Sequence, residues 1–239
     1  MEIINSESVM ADEWLRFLKN SNAQTETIRK IDFTSEIPII YDLDGRKLSI
    51  DFIRDKGNYQ KKKGSIKTEL LSKAMGAGRV GRRVLDLSAG LGIDAIFLSQ
   101  LGYQVTAVER NPIVFLALKT AWNQLFPAEQ SGIEFHFGSA QDFLKKTTEQ
   151  YDVIYFDPMF PEKKKSALPR QEMIIFRELV GCDTDSAAVI EAAIESKLAQ
   201  RIVVKRPLKA EPLRPKPITA MTGKLIRFDI YGGRLDTGN

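Results

Sequence analysis

A glycine-rich segment, VLDLSAGLGIDA at residues 84–95, has the residue types needed to bind a charged ligand through its backbone. Gly90 and Gly92 allow a tight turn and a close approach to a ligand, and a following helix offers unpaired N–H groups. Asp86 stands four residues before Gly90, where a carboxylate can help receive a cationic ligand, and Asp94 follows the loop. Such a loop by itself suits both NAD and S-adenosylmethionine.

Glu109 closes the next apolar run, YQVTAVE at residues 103–109, where an acid can accept hydrogen bonds from both hydroxyls of a ribose. Two alternatives need no ligand, since Asp86 could bond only to loop amides and Glu109 could pair with Arg110 at the surface. The spacing of the whole set favours a bound ligand. We therefore predict a cofactor site at the glycine loop.

A second group of residues, Asp157-Pro158-Met159-Phe160, follows the apolar run YDVIYF. It resembles the D/N-P-P-Y/F signature of methyltransferases that act on exocyclic amines of nucleobases. Such an amine is a poor nucleophile because its lone pair is delocalised into the ring. The Asp157 carboxylate and the Pro158 carbonyl can each accept one of its N–H bonds, and Phe160 can stack on the base, which is worth about 1–3 kcal/mol. This signature favours S-adenosylmethionine over NAD and needs no metal, although Asp157 could also merely cap a turn.

The chain downstream of Arg82 has the pattern that could bring these residues together. Short apolar runs alternate with segments of helical spacing, and the runs are RRVLDLS, YQVTAVE, IEFHFG, YDVIYFD and RIVVKR. They predict a doubly wound, Rossmann-like α/β sheet of parallel strands covered on both faces. Ligands of such sheets bind at the carboxyl ends of the strands, where Asp86, Glu109 and Asp157 stand. The tail, ITAMTGKLIRFDIYGG, predicts an antiparallel edge pair around Gly223.

Residues 1–64 have a different pattern, and we predict a small α+β appendage there, followed by the Rossmann-like domain over residues 65–239. Helical spacing over residues 9–19 precedes the segment IPIIYDLDGRKLSIDFI. Asp44-Gly45 stands between two alternating runs of that segment, which is typical of a β-hairpin turn.

The net charge of +4 is distributed unevenly. Residues 54–67 and 201–216 each hold six basic residues and one acid, and residues 161–170 hold four basic residues and one acid. A single run of this kind is usually solvated surface, but three that converge on one face suggest a polyanionic partner. The basic residues that follow predicted strands, and that we expect to contact RNA phosphates, are Lys163, Lys164, Lys165, Lys205 and Arg206.

Other features of the sequence exclude several classes of protein. No apolar stretch approaches the roughly 18 residues typical of a membrane span, and the acidic N-terminus lacks the features of a secretory signal. The single cysteine, Cys182, permits neither an intrachain disulfide nor a cysteine-based metal site. We predict a cytoplasmic protein without a membrane anchor or a metal.

Six motifs, in the order DLSAGLGIDA, VERNP, YFDPMFPEKKKSALPRQEM, LVG, VVKRP and RFDIYGG, resemble the bacterial 16S ribosomal RNA (guanine-N2)-methyltransferase J family over about residues 48–233. The resemblance implies methyl transfer from S-adenosylmethionine to N2 of a guanine, with 16S ribosomal RNA or the small ribosomal subunit as partner. Ser88 stands where the family usually has threonine, and it preserves the hydroxyl. The cofactor contacts that the resemblance implies are Ile93, Asp94, Glu109, Arg110, Ser139, Ala140 and Asp157.

Three other interpretations stay open at this point. The same chemistry at Asp157 could serve adenine N6 in DNA or RNA, or glutamine in a protein. The chain could also be a non-catalytic RNA-binding or ribosome-assembly protein that kept the fold, although the intact signature and glycine loop argue against this. An NAD oxidoreductase lacks an obvious proton donor, because the one histidine, His136, lies inside a predicted strand.

Overall fold

The computed structural model describes residues 1–52, 66–76, 82–125, 132–160 and 171–233. They form two compact units, each assembled from three segments of the chain. The N-terminal unit comprises Met1–Asp55, Asn111–Gln130 and Met159–Cys182, and the sheet unit comprises Lys56–Arg110, Ser131–Pro158 and Asp183–Asn239.

The described helices and strands follow one another in this order: β1 (Glu2–Ile4), α1 (Val9–Asn20), β2 (Ile28–Asp32), β3 (Ile39–Asp42), β4 (Lys47–Leu48), α2 (Ile66–Ala74), β5 (Arg83–Asp86), α3 (Ile93–Gln100), β6 (Gln104–Glu109), α4 (Pro112–Leu125), β7 (Ile133–Phe137), α5 (Ala140–Lys146), β8 (Tyr151–Phe156), α6 (Gln171–Val180), α7 (Ser186–Glu195), β9 (Ala199–Pro207), β10 (Thr219–Thr222) and β11 (Ile226–Gly232). No helix of the described ranges is long and apolar enough to cross a membrane.

The N-terminal unit contains a four-stranded sheet in the order β1-β2-β3-β4, in which only the β1–β2 pair is parallel. The predicted hairpin is confirmed as β3 and β4, and Gly45 adopts a left-handed φ of 78° in its turn. Two strands that the sequence pattern did not predict, β1 and β2, complete this sheet. β1 has only three residues, and β2, IRKID, lacks the clean alternation of apolar and polar residues by which a strand is recognised.

Helices from distant parts of the chain pack together inside the N-terminal unit. Ser8 caps α1 by accepting a hydrogen bond from the Ala11 N–H at 3.1 Å. The buried Trp14 of α1 donates its indole N–H to the Thr120 hydroxyl of α4 at 3.2 Å, and Phe17 stacks on Phe115 with ring centroids 5.5 Å apart. This unit therefore recruits segments from well beyond residue 64. A domain boundary at that residue stays a prediction, because residues 53–65 lie outside the described ranges.

The sheet unit contains seven strands in the order β10-β11-β9-β8-β5-β6-β7. The strands β9, β8, β5, β6 and β7 are parallel, and β11 and β10 add an antiparallel edge pair. The predicted doubly wound sheet and its antiparallel tail are confirmed. Strand residues such as Leu85, Ile154 and Val204 are fully buried and share one apolar cluster with residues of α5 and α7.

The strand order of the sheet reverses between β5 and β8. From β5 the chain proceeds outward to β6 and β7, then returns to the other side of β5 to form β8 and β9. A crevice forms outside the strand ends at such a reversal because the two connections leave in opposite directions. The residues that end β5 and β8 are therefore placed to meet a ligand.

Candidate active site

The glycine loop joins the end of β5 to the start of α3. Gly90 and Gly92 have φ values of 53° and 75°, in the left-handed region that side-chain-bearing residues rarely adopt. Gly92 is also the N-cap of α3, so the first-turn N–H groups face a residue that has no side chain. The sequence prediction of a tight turn at both glycines is confirmed, and the turn suits close approach of a ligand.

Glu109 is tied directly to this loop. It ends β6, it is 5% exposed, and its Oε2 accepts a hydrogen bond from the Gly90 N–H at 2.8 Å. The backbone carbonyl of Glu109 accepts from the Gly138 N–H at 3.0 Å, which brings the end of β7 alongside. The acid expected to bind a ribose therefore lies beside the loop expected to bind the rest of the ligand.

Ser139 and Ala140 begin α5 beyond the end of β7. Ser139 is the N-cap, and its hydroxyl accepts a hydrogen bond from the Asp142 N–H at 3.1 Å and donates one to the Asp142 carboxylate at 2.7 Å. Ala140 is buried, whereas Ile93 at the start of α3 is 38% exposed. Cofactor contacts by these residues stay a prediction.

Ser88 links the loop after β5 to the turn after β8. Its hydroxyl accepts a hydrogen bond from the Asp157 N–H at 2.7 Å, and it lies 3.3 Å from Asp86 Oδ1, to which it donates. The Ser88 N–H donates to the same oxygen of Asp86 at 2.9 Å. A single hydroxyl thus fixes Asp157 relative to Asp86, which explains why threonine would serve equally well at this position.

Asp94 and Asp157 share one cation, Lys205 of β9. The Lys205 Nζ lies 2.6 Å from Asp157 Oδ2 and 2.8 Å from Asp94 Oδ2. Asp94 Oδ2 also accepts a hydrogen bond from the hydroxyl of Tyr155, a fully buried residue of β8, at 2.7 Å. Sequence reasoning did not single out Tyr155, because an aromatic residue inside an apolar strand is usually just part of the core.

The surroundings of these groups alter their protonation. Burial raises the pKa of Asp86 to about 7, and the negative charges of Asp94 and Asp157 add to that rise while the Ser88 hydrogen bonds oppose it. Burial and the same two carboxylates raise the pKa of the Tyr155 hydroxyl. Burial lowers the pKa of Lys205, but Asp94 and Asp157 outweigh this effect and raise its pKa overall. Lys205 is therefore a permanent cation within an acidic cluster.

The cations predicted to contact RNA have different surroundings. Lys163, Lys164 and Lys165 lie outside the described ranges. The Lys205 side chain is only 13% exposed and bonds to two carboxylates, which favours a role inside the site over a phosphate contact. Arg206 is 7% exposed and donates to the Glu211 carbonyl. The phosphate contacts of all these residues stay a prediction.

Arg110, the cation that the resemblance implies as a cofactor contact, directly follows β6. It forms ion pairs with Asp183 and with Asp185, the latter at 3.2 Å. Phe160 is part of the N-terminal unit, and its stacking on a base stays a prediction.

The residues present fit S-adenosylmethionine. This molecule carries a sulfonium, an ammonium and a ribose diol, and the site provides the carboxylates of Asp86, Asp94 and Asp157 together with Glu109. The left-handed turn at Gly90 and Gly92 admits a ligand against the backbone. Within the described ranges, no group of three or more potential metal ligands is found.

Comparisons with known proteins agree with this geometry. A family model for SAM-dependent methyltransferases matches residues 19–233. The chain is 42% identical over 223 residues to Ribosomal RNA small subunit methyltransferase J of Bdellovibrio bacteriovorus, with 91% of this chain and 88% of that protein covered. It is 38% identical to the protein of the same name from Coxiella burnetii strain Dugway 5J108-111, with 77% and 74% covered. The crystal structure of a SAM-dependent methyltransferase from Neisseria gonorrhoeae superposes with a TM-score of 0.69 at 26% identity, covering 99% of this chain and 96% of that one. The chain therefore belongs to the SAM-dependent methyltransferase family and is an enzyme that uses S-adenosylmethionine.

Proposed function

We propose that this methyltransferase transfers a methyl group to N2 of a guanine in 16S ribosomal RNA, within the cytoplasm. The observation that carries the proposal is the position of Asp157-Pro158, directly after β8 and hydrogen-bonded through Ser88 to the loop that ends β5. The name of the relatives, Ribosomal RNA small subunit methyltransferase J, supports small-subunit RNA as the substrate.

The cofactor would be held by residues from the ends of β5 and β6 and from the first turn of α3. Glu109 would accept the ribose hydroxyls, and Asp86 and Asp94 would face the cationic part of the molecule. When bound, S-adenosylmethionine supplies an electrophilic methyl group on a sulfonium. Because Asp86 is buried and bonded to Ser88, and Asp94 is bonded to Lys205, little reorganisation is needed when the cation arrives.

The acceptor amine would be oriented by Asp157 and Pro158. The ionised carboxylate of Asp157 and the carbonyl of Pro158 each accept one N–H of the guanine amine, so that the nitrogen lone pair faces the methyl group. The nitrogen would form a bond to the methyl carbon as the carbon–sulfur bond of S-adenosylmethionine breaks and S-adenosylhomocysteine leaves. The methylated nitrogen would then lose one proton, which Asp157 can accept and pass to water. Alignment of this kind supplies up to roughly 7–11 kcal/mol of a barrier, so no acid catalyst is required.

The substrate would be positioned by its phosphates, with Lys163, Lys164 and Lys165 as the predicted contacts. Phosphate contacts fix the register of an RNA without reading its sequence, and a target base must leave its stack to reach Asp157. The salt dependence of RNA affinity reports such contacts.

The test of the proposed function uses two measurements. Purified enzyme is incubated with labelled S-adenosylmethionine and separated RNA, DNA and protein fractions, and label should enter small-subunit RNA, either naked or in the assembled subunit. Methylated guanines in 16S ribosomal RNA are then mapped in a strain that lacks the gene, where one N2-methylguanine should disappear. Transfer of the labelled methyl group to DNA or protein, or an unchanged set of N2-methylguanines in 16S ribosomal RNA, would contradict guanine N2 as the methyl acceptor.

The affinity for S-adenosylmethionine should rise with pH because of Asp86. Its pKa of about 7 lies above its ordinary value, so raising the pH from about 6 to about 8 ionises the carboxylate. An ionised Asp86 attracts the sulfonium, and we expect a gain of about tenfold, the equivalent of one pKa unit. S-adenosylhomocysteine, which lacks the sulfonium charge, should gain less. Calorimetry at several pH values measures both ligands.

Asp86→Asn supplies the control for this pH dependence, because it removes the titrating group and keeps the shape. The same pKa predicts an opposite trend for the ligand-free protein. Since the folded state holds the proton more tightly than the unfolded chain, the stability contributed by Asp86 is present below about pH 4 and is lost as the pH rises through about 7. A cofactor affinity that varies equally with pH in Asp86→Asn assigns the titration to another group.

A further inference from the structure

Lys205 is a largely buried cation that lies between Asp94 and Asp157 in the candidate active site. It lies on β9, between β8 and β11, and pairs in register with Phe228. Its ammonium is within 2.8 Å of carboxylates from two separate elements, the first turn of α3 and the turn after β8. Asp94 follows the glycine loop that is expected to bind the cofactor, and Asp157 is the proposed hydrogen-bond acceptor for the substrate amine. The lysine therefore joins the two halves of the site.

The charge around Lys205 is strongly unbalanced. Asp86 comes from the end of β5, Asp94 from α3 and Asp157 from the turn after β8, and all three act on one another through a largely buried region. The hydroxyl of Tyr155 adds a neutral donor to Asp94. Burial is the main cause of the raised pKa of Asp86, and the negative charges of Asp94 and Asp157 raise it further, so each carboxylate of the cluster disfavours ionisation of its neighbour. Lys205 is the cation that offsets them.

We propose that Lys205 is the positioning residue of the methyl-transfer site: its ammonium holds Asp157 ionised and fixed relative to the cofactor loop. This inference rests on the proposed role of Asp157 in orienting the amine. The ionised form orients the amine best because either carboxylate oxygen can then accept its N–H, whereas a protonated carboxyl keeps one acceptor oxygen and presents a hydroxyl donor at the other. Without Lys205, Asp94 and Asp86 would favour a proton on Asp157.

The same contact couples the cofactor to the acceptor. Asp94 is the second residue of α3, two residues after Gly92, so a movement of the glycine loop changes the distance between Asp94 and Lys205. Lys205 bonds to Asp157 through the same ammonium, and any such movement is passed to the carboxylate that meets the amine. A displacement of about 1 Å between reacting groups can cost about 100-fold in rate. Lys205 thus keeps the amine held by Asp157 aligned with the methyl group of the cofactor.

The first experiment measures the protonation of Asp157 without cofactor or RNA. The protein is labelled with ¹³C at aspartate side-chain carboxyls, and the Asp157 signal, assigned by its loss in Asp157→Asn, is followed by NMR from about pH 3 to pH 9. In Lys205→Met the titration midpoint should rise by about 1–3 pH units, the range expected for loss of an adjacent opposite charge. Lys145→Met, which removes the same charge from an exposed position of α5, should leave the midpoint unchanged.

The second experiment follows methyl transfer as a function of pH. In Lys205→Met the acid limb of the plot of kcat against pH should move to higher pH by the same interval of about 1–3 units. At pH 7 we expect kcat to fall by about 10- to 100-fold. Lys205→Arg should recover part of the rate, whereas Lys205→Gln, which keeps N–H donors without the charge, should recover little. If Lys205→Met does not fold, the arginine and glutamine variants carry the comparison.

The outcomes separate this inference from the proposed function. An unchanged Asp157 midpoint in Lys205→Met and Lys205→Gln overturns the role of Lys205, even if guanine methylation is demonstrated. A shifted midpoint with transfer to a different acceptor leaves Lys205 in place and overturns the substrate. Equal acid limbs for Lys205→Met and wild type, at reduced stability, would mean that the lysine is purely structural.

Discussion

Asp157→Ala abolishes methyl transfer, with an expected fall in kcat of at least about 1,000-fold. The carbonyl of Pro158 alone can accept only one of the two amine N–H bonds, so the lone pair is no longer turned toward the methyl group. Loss of a single preorganised group at a reacting centre costs about 100- to 1,000-fold, and this change also leaves Lys205 with one of its two carboxylates. Single-turnover kinetics with saturating cofactor measures the effect on chemistry directly.

Two further variants show which property of Asp157 matters. Asp157→Asn keeps one acceptor oxygen and should retain far more activity than the alanine variant, since the related signature permits either residue. Asp152→Ala removes a carboxylate from the opposite end of β8, where it accepts the Arg83 N–H at 2.8 Å, and should leave kcat unchanged. An Asp157→Ala enzyme with turnover near wild type would show that the turn is structural.

Glu109→Ala weakens the binding of S-adenosylmethionine and S-adenosylhomocysteine by at least about 100-fold each. Two hydrogen bonds from ribose hydroxyls to a buried carboxylate are lost, and bonds to charged groups are worth about 1.5–3 kcal/mol each. The Gly90 N–H also loses its 2.8 Å partner, so the loop is held less firmly. Equal losses for both ligands are expected because both carry the same ribose, in contrast to the charge-dependent effect of Asp86.

Titration calorimetry in the presence of a chelator measures both dissociation constants. Glu134→Ala is the matched control, because Glu134 lies on the neighbouring strand β7 with a largely exposed side chain. Its removal should leave both constants unchanged. Retention of full affinity by Glu109→Ala would place the ribose elsewhere and leave Glu109 as a support for the glycine loop.

The framework of the site could be predicted because it depends on local features of the sequence. Apolar runs followed by acids identify the carboxyl ends of strands, and Asp86, Glu109 and Asp157 do stand at such ends. Glycines at a strand-to-helix junction identify a left-handed turn, and both Gly90 and Gly92 adopt it. These features require only neighbours in sequence and the general rule that parallel strands open on one edge.

The contacts inside the site could not be predicted in the same way. In the sequence Lys205 is one of several basic residues in a run. Nothing in that run shows that its ammonium bonds to Asp157 and Asp94, which lie 48 and 111 residues away. Whether a strand-end lysine points to solvent or into the crevice depends on the strand order, which placed β9 beside β8. Ser88 likewise became informative only when its hydroxyl was found against the Asp157 N–H.

The division of the N-terminal unit into three segments has a consequence for synthesis on the ribosome. Trp14 bonds to Thr120, Phe17 stacks on Phe115, and Arg46 pairs with Glu178 at 3.0 Å. The first 55 residues can therefore complete these contacts only after residues 115–178 have been synthesised. At translation rates of about 5–20 residues per second, that delay amounts to roughly ten seconds. During this interval the nascent chain lacks the residues that pack against Trp14 and Phe17 in the folded unit. A fragment that ends before the later segments should remain aggregation-prone.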